Sequence, residues 1–287
     1  MPVWVTFAIA GLLTGAVYGL MALGLSVIFG VVRIVNFAHG EMMVLGMYGT
    51  ILLHQYLGLD PLVCAPINAL FLFAFGFALQ RGLINRYIFR PEHEQFILML
   101  GIATLLTSTM LMIFGPDVRT VQTDYALDSY EFGTLVLDKV RVFAAGGAVI
   151  SVALFWGFFR FSRTGKAIRA CADNQVGAQV TGLNVGRLYA VTFGLGAACV
   201  GAAGTLMLLL VDVQPYLATD YTLLSFVIVI LGGLGSMPGA LLGGLLVGVS
   251  ESLSAYLVAP SMKSMFSFGL LIIVLLIRPE GLLGRRA

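Results

Sequence analysis

Charged residues are scarce in this chain. Only 10% of its 287 residues are Asp, Glu, Lys or Arg, whereas 59% are hydrophobic. A soluble domain carries about 25% charged residues, so this chain has too few charges to cover an ordinary water-exposed surface. Its long apolar runs also differ from the short alternating segments of a transmembrane β-barrel. The composition therefore predicts an all-α, polytopic membrane protein with a single transmembrane domain, residues 1–287.

Side chains for metal binding and catalysis are equally sparse. The three cysteines are far apart in the sequence: Cys64, Cys171 and Cys199. The three histidines form no spacing of the HExxH kind. Gly165 and Lys166 follow a basic run, but a phosphate-binding P-loop would need glycine at Arg160 and a hydroxyl residue at Ala167. The sequence therefore indicates no enzyme activity, no cofactor or metal site, and no nucleic-acid partner.

Apolar runs of about 20 residues, the length that a helix needs to cross a bilayer, recur along the chain. The runs cover residues 3–30, 41–58, 61–79, 96–114, 141–159, 189–211, 239–258 and 263–277, and a shorter one covers 222–232. We therefore predict eight or nine transmembrane helices, some of them interrupted. The first run has no basic n-region, which is typical of a first span and not of a cleaved signal peptide.

The charges of the loops predict the orientation, because loops rich in Lys and Arg are retained in the cytoplasm. The segment 81–94, the loop 160–188 and the C-terminal tail 278–287 are basic. The loop 115–140 instead carries Asp117, Asp124, Asp128, Glu131 and Asp138 against two basic residues. We predict a periplasmic loop at 115–140, a cytoplasmic loop at 160–188 and a cytoplasmic C-terminus. Alternation across the spans then puts the N-terminus on the outer side.

A cluster of glycines interrupts the later spans. The segment 232–239 contains a proline and four glycines: Gly232, Gly233, Gly235 and Gly239. We expect it to break a helix at membrane depth. Non-helical backbone is tolerated there only where protein buries it or where it lines a cavity.

Polar residues interrupt the chain between the first two runs. Asn36, His39, Gly40 and Glu41 stand directly beside apolar sequence. One interpretation is a short cytoplasmic turn in which Asn36 caps a helix and Arg33 reaches the membrane surface. The other is a part of a transport pathway or its gate, because ionisable groups within a membrane are costly and usually functional. Glu251 lies within a later run. It too has two open interpretations, a structural hydrogen bond and a role in ion coupling.

The basic loop 160–188 is the one sizeable polar segment. Residues Lys166–Val180 predict an amphipathic helix with small or apolar positions that include Ala178, and Gly182 supplies a stop. A short helix with small side chains fits a groove on a partner protein. Contact of its basic residues with anionic lipid is the alternative.

Three stretches of the sequence resemble one protein family. IVNFAHGEMMVLGMYGT, RTGKAIRACADNQVGAQVTGLNVGRL and GGLGSMPGALLGGLLVG occur in this order. They resemble the permease subunit of ABC importers for branched-chain and other hydrophobic amino acids, and the likeness covers nearly the whole chain. Close relatives in the same group carry urea or short amides. The alternatives are an ion-coupled secondary transporter, which predicts more charges near the midplane of the spans, and a structural scaffold.

The resemblance implies a set of partners and roles. A second permease subunit would complete the pore in the bacterial inner membrane, two cytoplasmic ATPase subunits would power it, and a periplasmic binding protein would deliver the substrate. The resemblance also places the candidate ATPase-coupling residues in an ATPase groove: Ala172, Asp173, Asn174, Gln175, Ala178 and Gly182. The candidate pathway or hinge residues are those of the two interruptions: Asn36, His39, Gly40, Glu41, Gly232, Gly233, Gly235 and Gly239.

Overall fold

The computed structural model describes residues 3–126, 128–132 and 135–284, so Arg285 and Arg286 of the predicted basic tail lie outside the described residues. Within those ranges the chain forms eleven α-helices and one two-stranded antiparallel sheet. The helices are α1 (Val3–Val32), α2 (His39–Leu57), α3 (Pro61–Gly82), α4 (Glu92–Phe114), α5 (Lys139–Phe161), α6 (Arg163–Asp173), α7 (Gln175–Val180), α8 (Val185–Leu208), α9 (Leu217–Gly232), α10 (Met237–Leu257) and α11 (Lys263–Ile277). The strands are β1 (Ser129–Phe132) and β2 (Leu135–Asp138).

Each predicted apolar run coincides with a helix, which confirms the all-α polytopic fold. Seven helical segments of the described chain are long and apolar enough to cross a membrane: Val3–Val32, Pro61–Arg86, Glu92–Phe114, Lys139–Phe161, Val185–Leu208, Met237–Leu257 and Pro260–Ile277. Helix α2 is less apolar, and α9 is shorter, with 16 residues. Whether these two also cross stays a prediction, as does the total of eight or nine.

The loops gather at two opposite ends of the bundle. At one end, which we call the acidic end, the Tyr125 hydroxyl donates to a carboxylate oxygen of Asp60 at 2.9 Å. The start of α1 lies at this end too, because Thr6 shares a small cleft with Val136. At the other end, the basic end, Asn85 Nδ2 donates to the Gly186 carbonyl at 3.1 Å. The acidic loop and the basic loops therefore lie at different ends of the bundle, and which end faces the cytoplasm stays a prediction.

Glycines allow α1 to cross α10 at backbone distance. A Cβ atom on Gly15 would lie 2.8 Å from the Gly244 carbonyl oxygen and 2.8 Å from Leu245 Cα. A Cβ atom on Gly11 would lie 2.7 Å from the Gly248 carbonyl oxygen. Such contacts let two helices pack closely in a bilayer, where van der Waals contact replaces the hydrophobic effect between helices.

Buried hydrogen bonds connect other helices of the bundle. Asn68 Nδ2 of α3 lies 2.8 Å from Thr50 Oγ1 of α2 and 2.9 Å from Thr205 Oγ1 of α8. Both carboxylate oxygens of Glu251 accept hydrogen bonds, one from the Tyr18 hydroxyl at 2.9 Å and one from the Ser267 hydroxyl at 2.8 Å. The structure therefore favours the structural interpretation of Glu251 over ion coupling.

We predict that Gly15→Ala destabilises the protein by about 1–3 kcal/mol, because the added methyl group overpacks the α1–α10 contact. Thermal unfolding in detergent measures the effect. Gly157→Ala is the matched control, since nothing lies within 4 Å of a Cβ atom placed on Gly157. Equal melting temperatures for the two variants would contradict the close-packing role of Gly15.

Candidate functional site

A cavity of about 1610 Å³ lies at the basic end. Its wall combines the end of α1, the segment after it, the start of α4, one face of α6 and the loop between α9 and α10. The structure therefore brings together parts of all three segments that the sequence singled out. Five charged side chains line the cavity: Arg33, Glu92, Lys166, Arg169 and Asp173. Most of the remaining wall is apolar, apart from residues such as Ser26, whose buried hydroxyl has no hydrogen-bond partner.

The chain turns back into the bundle immediately after α1. Arg33 has a φ of 59°, a left-handed conformation that costs a residue with a side chain about 1–2 kcal/mol. The next helix begins at His39, whose Nε2 lies 3.0 Å from the Met21 carbonyl oxygen. Met21 precedes the end of α1 by eleven residues (32 − 21 = 11), or about 16 Å along the helix axis. Helix α2 therefore begins inside the bundle and not at its basic end.

The first turn of α2 is a buried polar site. Asn36 and His39 are fully buried, and Glu41 is 4% exposed. Thr222 of α9 accepts a hydrogen bond from the Gly40 backbone N–H at 2.9 Å, and its hydroxyl lies 3.3 Å from Glu41 Oε2. Burial on this scale makes the interpretation as a short cytoplasmic turn wrong.

Neither Asn36 nor Gly40 acts as a surface turn residue. The N-cap of α2 is Ala38 and not Asn36, although Asn36 Oδ1 accepts a hydrogen bond from the Ala38 N–H at 3.1 Å. Asn36 Nδ2 and His39 Nδ1 have no hydrogen-bond partner. A Cβ atom on Gly40 would collide with the Ala218 carbonyl oxygen, so glycine is needed where α2 meets α9.

The glycine cluster breaks the helix as predicted. Helix α9 ends at Gly232 and α10 begins at Met237, while Gly233 and Gly235 have φ values of 103° and 78°. Gly235 Cα lies 3.1 Å from a Cβ atom placed on Gly30, near the end of α1. The break therefore lies near the basic end of α1, and its position relative to the membrane stays a prediction. Helix α9 starts five residues before the predicted run, at Leu217 (222 − 217 = 5), and ends at Gly232 as the run predicted.

The C-terminal tail completes the end of α9. The Leu282 and Leu283 backbone N–H groups donate to the carbonyl oxygens of Leu231 and Gly232, both at 2.9 Å. Carbonyl groups of a last helical turn lack partners within their helix, so the tail satisfies two of them. On the other side of the break, Ser236 caps the start of α10, because its Oγ accepts a hydrogen bond from the Gly239 N–H at 3.2 Å.

The basic loop forms two helices and not the single helix predicted for Lys166–Val180. Asn174 separates α6 from α7, and its backbone is extended, with a φ of −150°. Its Oδ1 accepts a hydrogen bond from the Gly177 N–H at 2.8 Å. Asparagine favours this capping geometry over a helix interior, which the apolar periodicity did not reveal. The stop is confirmed, because Gly182, after α7, has a φ of 83°.

The six candidate coupling residues occupy different positions in this loop. Ala172 and Asp173 line the cavity, whereas Asn174 and Gly182 are exposed, Gln175 is half-buried and Ala178 is buried. The sequence analysis missed two exposed apolar side chains of α7, Val176 and Val180, which are 69% and 83% exposed. Their i, i+4 spacing on one helix face was a readable signal.

Cys171 belongs to the interior of this loop. It is buried, and burial raises the pKa of its thiol despite a hydrogen bond with Tyr189. A thiol with a raised pKa is a weak nucleophile, so Cys171 acts as a packing residue.

Comparison with known proteins identifies the family. Residues 7–275 match the model of the family described as the branched-chain amino acid transport system, permease component. The chain belongs to this family. It is 34% identical to the high-affinity branched-chain amino acid transport system permease protein LivH of Escherichia coli (strain K12), over 96% of this chain and 94% of LivH.

Two further relatives have related names. The permease protein BraD of Pseudomonas aeruginosa, from a high-affinity branched-chain amino acid transport system, is 30% identical over 96% of this chain and 94% of BraD. LivM of Escherichia coli (strain K12), also a permease protein of such a system, is 25% identical over 93% of this chain and 68% of LivM. The family confirms the permease predicted from the three sequence stretches, and the relatives are transport subunits.

We predict that Asn174→Ala loosens α7 of this permease, because the loss of an N-cap costs about 0.5–2 kcal/mol. Amide hydrogen exchange of residues 175–182 should become faster in the variant. Gln179→Ala changes an exposed side chain of the same helix and serves as the control. Unchanged exchange in Asn174→Ala would mean that tertiary contacts alone hold α7.

Proposed function

We propose that this permease is one of two membrane subunits of an ATP-driven importer and forms part of the path for branched-chain amino acids. One observation carries the proposal: a single cavity is lined by the re-entrant segment after α1, by the break between α9 and α10, and by α6 of the basic loop. Family membership supports the substrate class. The similarity to both LivH and LivM of one organism supports a pore with a second, related permease subunit.

The charges of the two ends support an orientation in the bacterial inner membrane. The basic end, with α6, α7 and the C-terminal tail, would face the cytoplasm. The acidic end, with the β1–β2 hairpin, would face the periplasm and receive the substrate from a binding protein. The energy would come from two ATPase subunits at the basic end, so ATP hydrolysis would occur outside this chain.

The geometry of the basic loop supports a route for coupling. Val176 and Val180 project from α7 outside the spans, where an apolar groove on an ATPase subunit would bury them. Helix α6 lies on the other side of Asn174 and forms part of the cavity wall. A rigid displacement of α7 would therefore move α6 and change the width of the cavity. Of the candidate hinge glycines, Gly235 lines the cavity, and Gly232, Gly233 and Gly239 flank it at the end of α9 and the start of α10.

Transport by the reconstituted complex tests the proposed function. The permease and its co-purifying subunits in proteoliposomes, with the binding protein and ATP supplied on their respective sides, should take up leucine, isoleucine and valine. Urea uptake under the same conditions should be negligible. Uptake that continues without ATP, or that follows an imposed ion gradient, would contradict the importer and favour a secondary transporter.

We predict that Val180→Glu weakens the association with the ATPase subunits at least about tenfold. A charge at a buried apolar contact leaves an unpaired ion, which costs several kcal/mol. The measurement is the ATPase recovered with the tagged permease from mild detergent. Val118→Glu is the matched control, since Val118 is 59% exposed at the acidic end. Full recovery of ATPase with Val180→Glu would remove α7 from the coupling interface.

A further inference from the structure

Glu41 is a buried carboxylate without an ion-pair partner. In the described part of the chain, Lys139 pairs with Asp128 and Arg141 pairs with Asp138, both at the acidic end and not at Glu41. Glu41 instead has the Thr222 hydroxyl at 3.3 Å. A carboxylate buried in a membrane protein without a cation is costly and indicates a functional role. A cation that visits this position would supply the missing partner.

Groups that can bind an anion lie one helical turn away from Glu41. Ala38 caps α2 without a side-chain hydrogen bond of its own, and the first N–H groups of a helix carry partial positive charge. Asn36 is held at this terminus through its Oδ1 and leaves both N–H groups of Nδ2 unused. Helix termini that begin inside a membrane bundle are suited to bind carboxylates.

His39 fixes the position of this terminus. A carbonyl oxygen only accepts hydrogen bonds, so the bond to Met21 requires the proton on Nε2. His39 therefore holds the first turn of α2 against the middle of α1. Gly40 holds the other side of that turn against α9, through its N–H and the Thr222 hydroxyl.

We propose that this first turn of α2 binds the zwitterionic backbone of the transported amino acid, its ammonium group at Glu41 and its carboxylate at the α2 N-terminus and Asn36. The inference rests on the proposed function and names the group that the pathway recognises. Every branched-chain amino acid carries the same two charges, so one site serves them all. The apolar side chain of the substrate would then pack against the ring of Phe37, which lines the cavity.

Phe37 separates this site from the cavity. It lines the cavity, and its ring packs against Phe96 of α4 at a centroid distance of 4.7 Å and against Phe226 of α9 at 5.3 Å. Its carbonyl oxygen lies 3.5 Å from the Thr222 hydroxyl, beside Glu41. A substrate that leaves the site for the cavity must displace this ring. Phe37 therefore acts as the gate, and α4 and α9 decide whether the gate can open.

Glu41→Gln tests the site in the reconstituted complex, because the amide keeps the shape and a hydrogen bond with Thr222 but removes the charge. We expect kcat/KM for leucine uptake to fall at least about tenfold, the range for hydrogen bonds to charged groups. The ATPase subunits recovered with the tagged variant should match the wild type in amount, a readout that a folding defect would not spare. Glu251→Gln is the matched control, because hydroxyl groups already occupy both oxygens of Glu251.

Asn36→Ser tests the carboxylate half of the site. Serine keeps an oxygen that can accept from the Ala38 N–H, but it lacks the free amide, so the KM for leucine should rise several-fold. This variant also carries the test if Glu41→Gln does not accumulate. Normal uptake by Asn36→Ser and by any Glu41→Gln obtained, or an equal loss in Glu251→Gln, would overturn the inference. Failure of the wild-type complex to take up leucine would instead contradict the proposed function.

Discussion

The architecture of this permease depends on the re-entry of the chain after α1. Arg33 takes a left-handed backbone conformation, and five further residues lead the chain back to the level of Met21 before α2 begins. A helix that starts there exposes its first N–H groups within the bundle, away from water. Two of these groups have partners, because the Ala38 N–H donates to Asn36 Oδ1 and the Gly40 N–H donates to Thr222 Oγ1. The remaining polar groups of that turn have no such explanation in the fold.

The same constraint explains the small residues around the turn. Gly40 must approach the Ala218 carbonyl closely, because a larger residue would push α2 away from Thr222. The cavity lies beside this segment, because Arg33, Val35 and Phe37 line it together with residues of α4 and α6. The one segment thus positions the buried polar site, the aromatic ring of Phe37 and the wall that α6 completes.

Sequence reasoning predicted what depends on local chemistry and missed what depends on depth. The lengths of the apolar runs predicted the helices. The glycines and the proline near Gly235 predicted a break that the structure contains. The run length carries no information on where along the bundle a helix starts, so the sequence left open whether the segment before α2 is a surface turn or lies inside the bundle. Likewise, the apolar periodicity of Lys166–Val180 continues through Asn174, where a side-chain cap divides the helix. Thr222 and Phe37 were missed because their importance arises from contacts across the bundle, over 180 residues apart in the case of Gly40 and Thr222.

The buried polar groups of this protein fall into two kinds, and the difference bears on function. Asn68 and Glu251 form hydrogen bonds with several other helices. These bonds offset the free energy of burying the two polar groups and connect the helices. Asn36, His39 and Glu41 share one turn, yet two of them leave a nitrogen without a partner and the third has no cation. A protein selected for stability alone would gain from apolar residues at these positions. Polar groups that the fold leaves unsatisfied, at the point where a helix begins inside the bundle and beside a cavity, are what a passing charged solute requires.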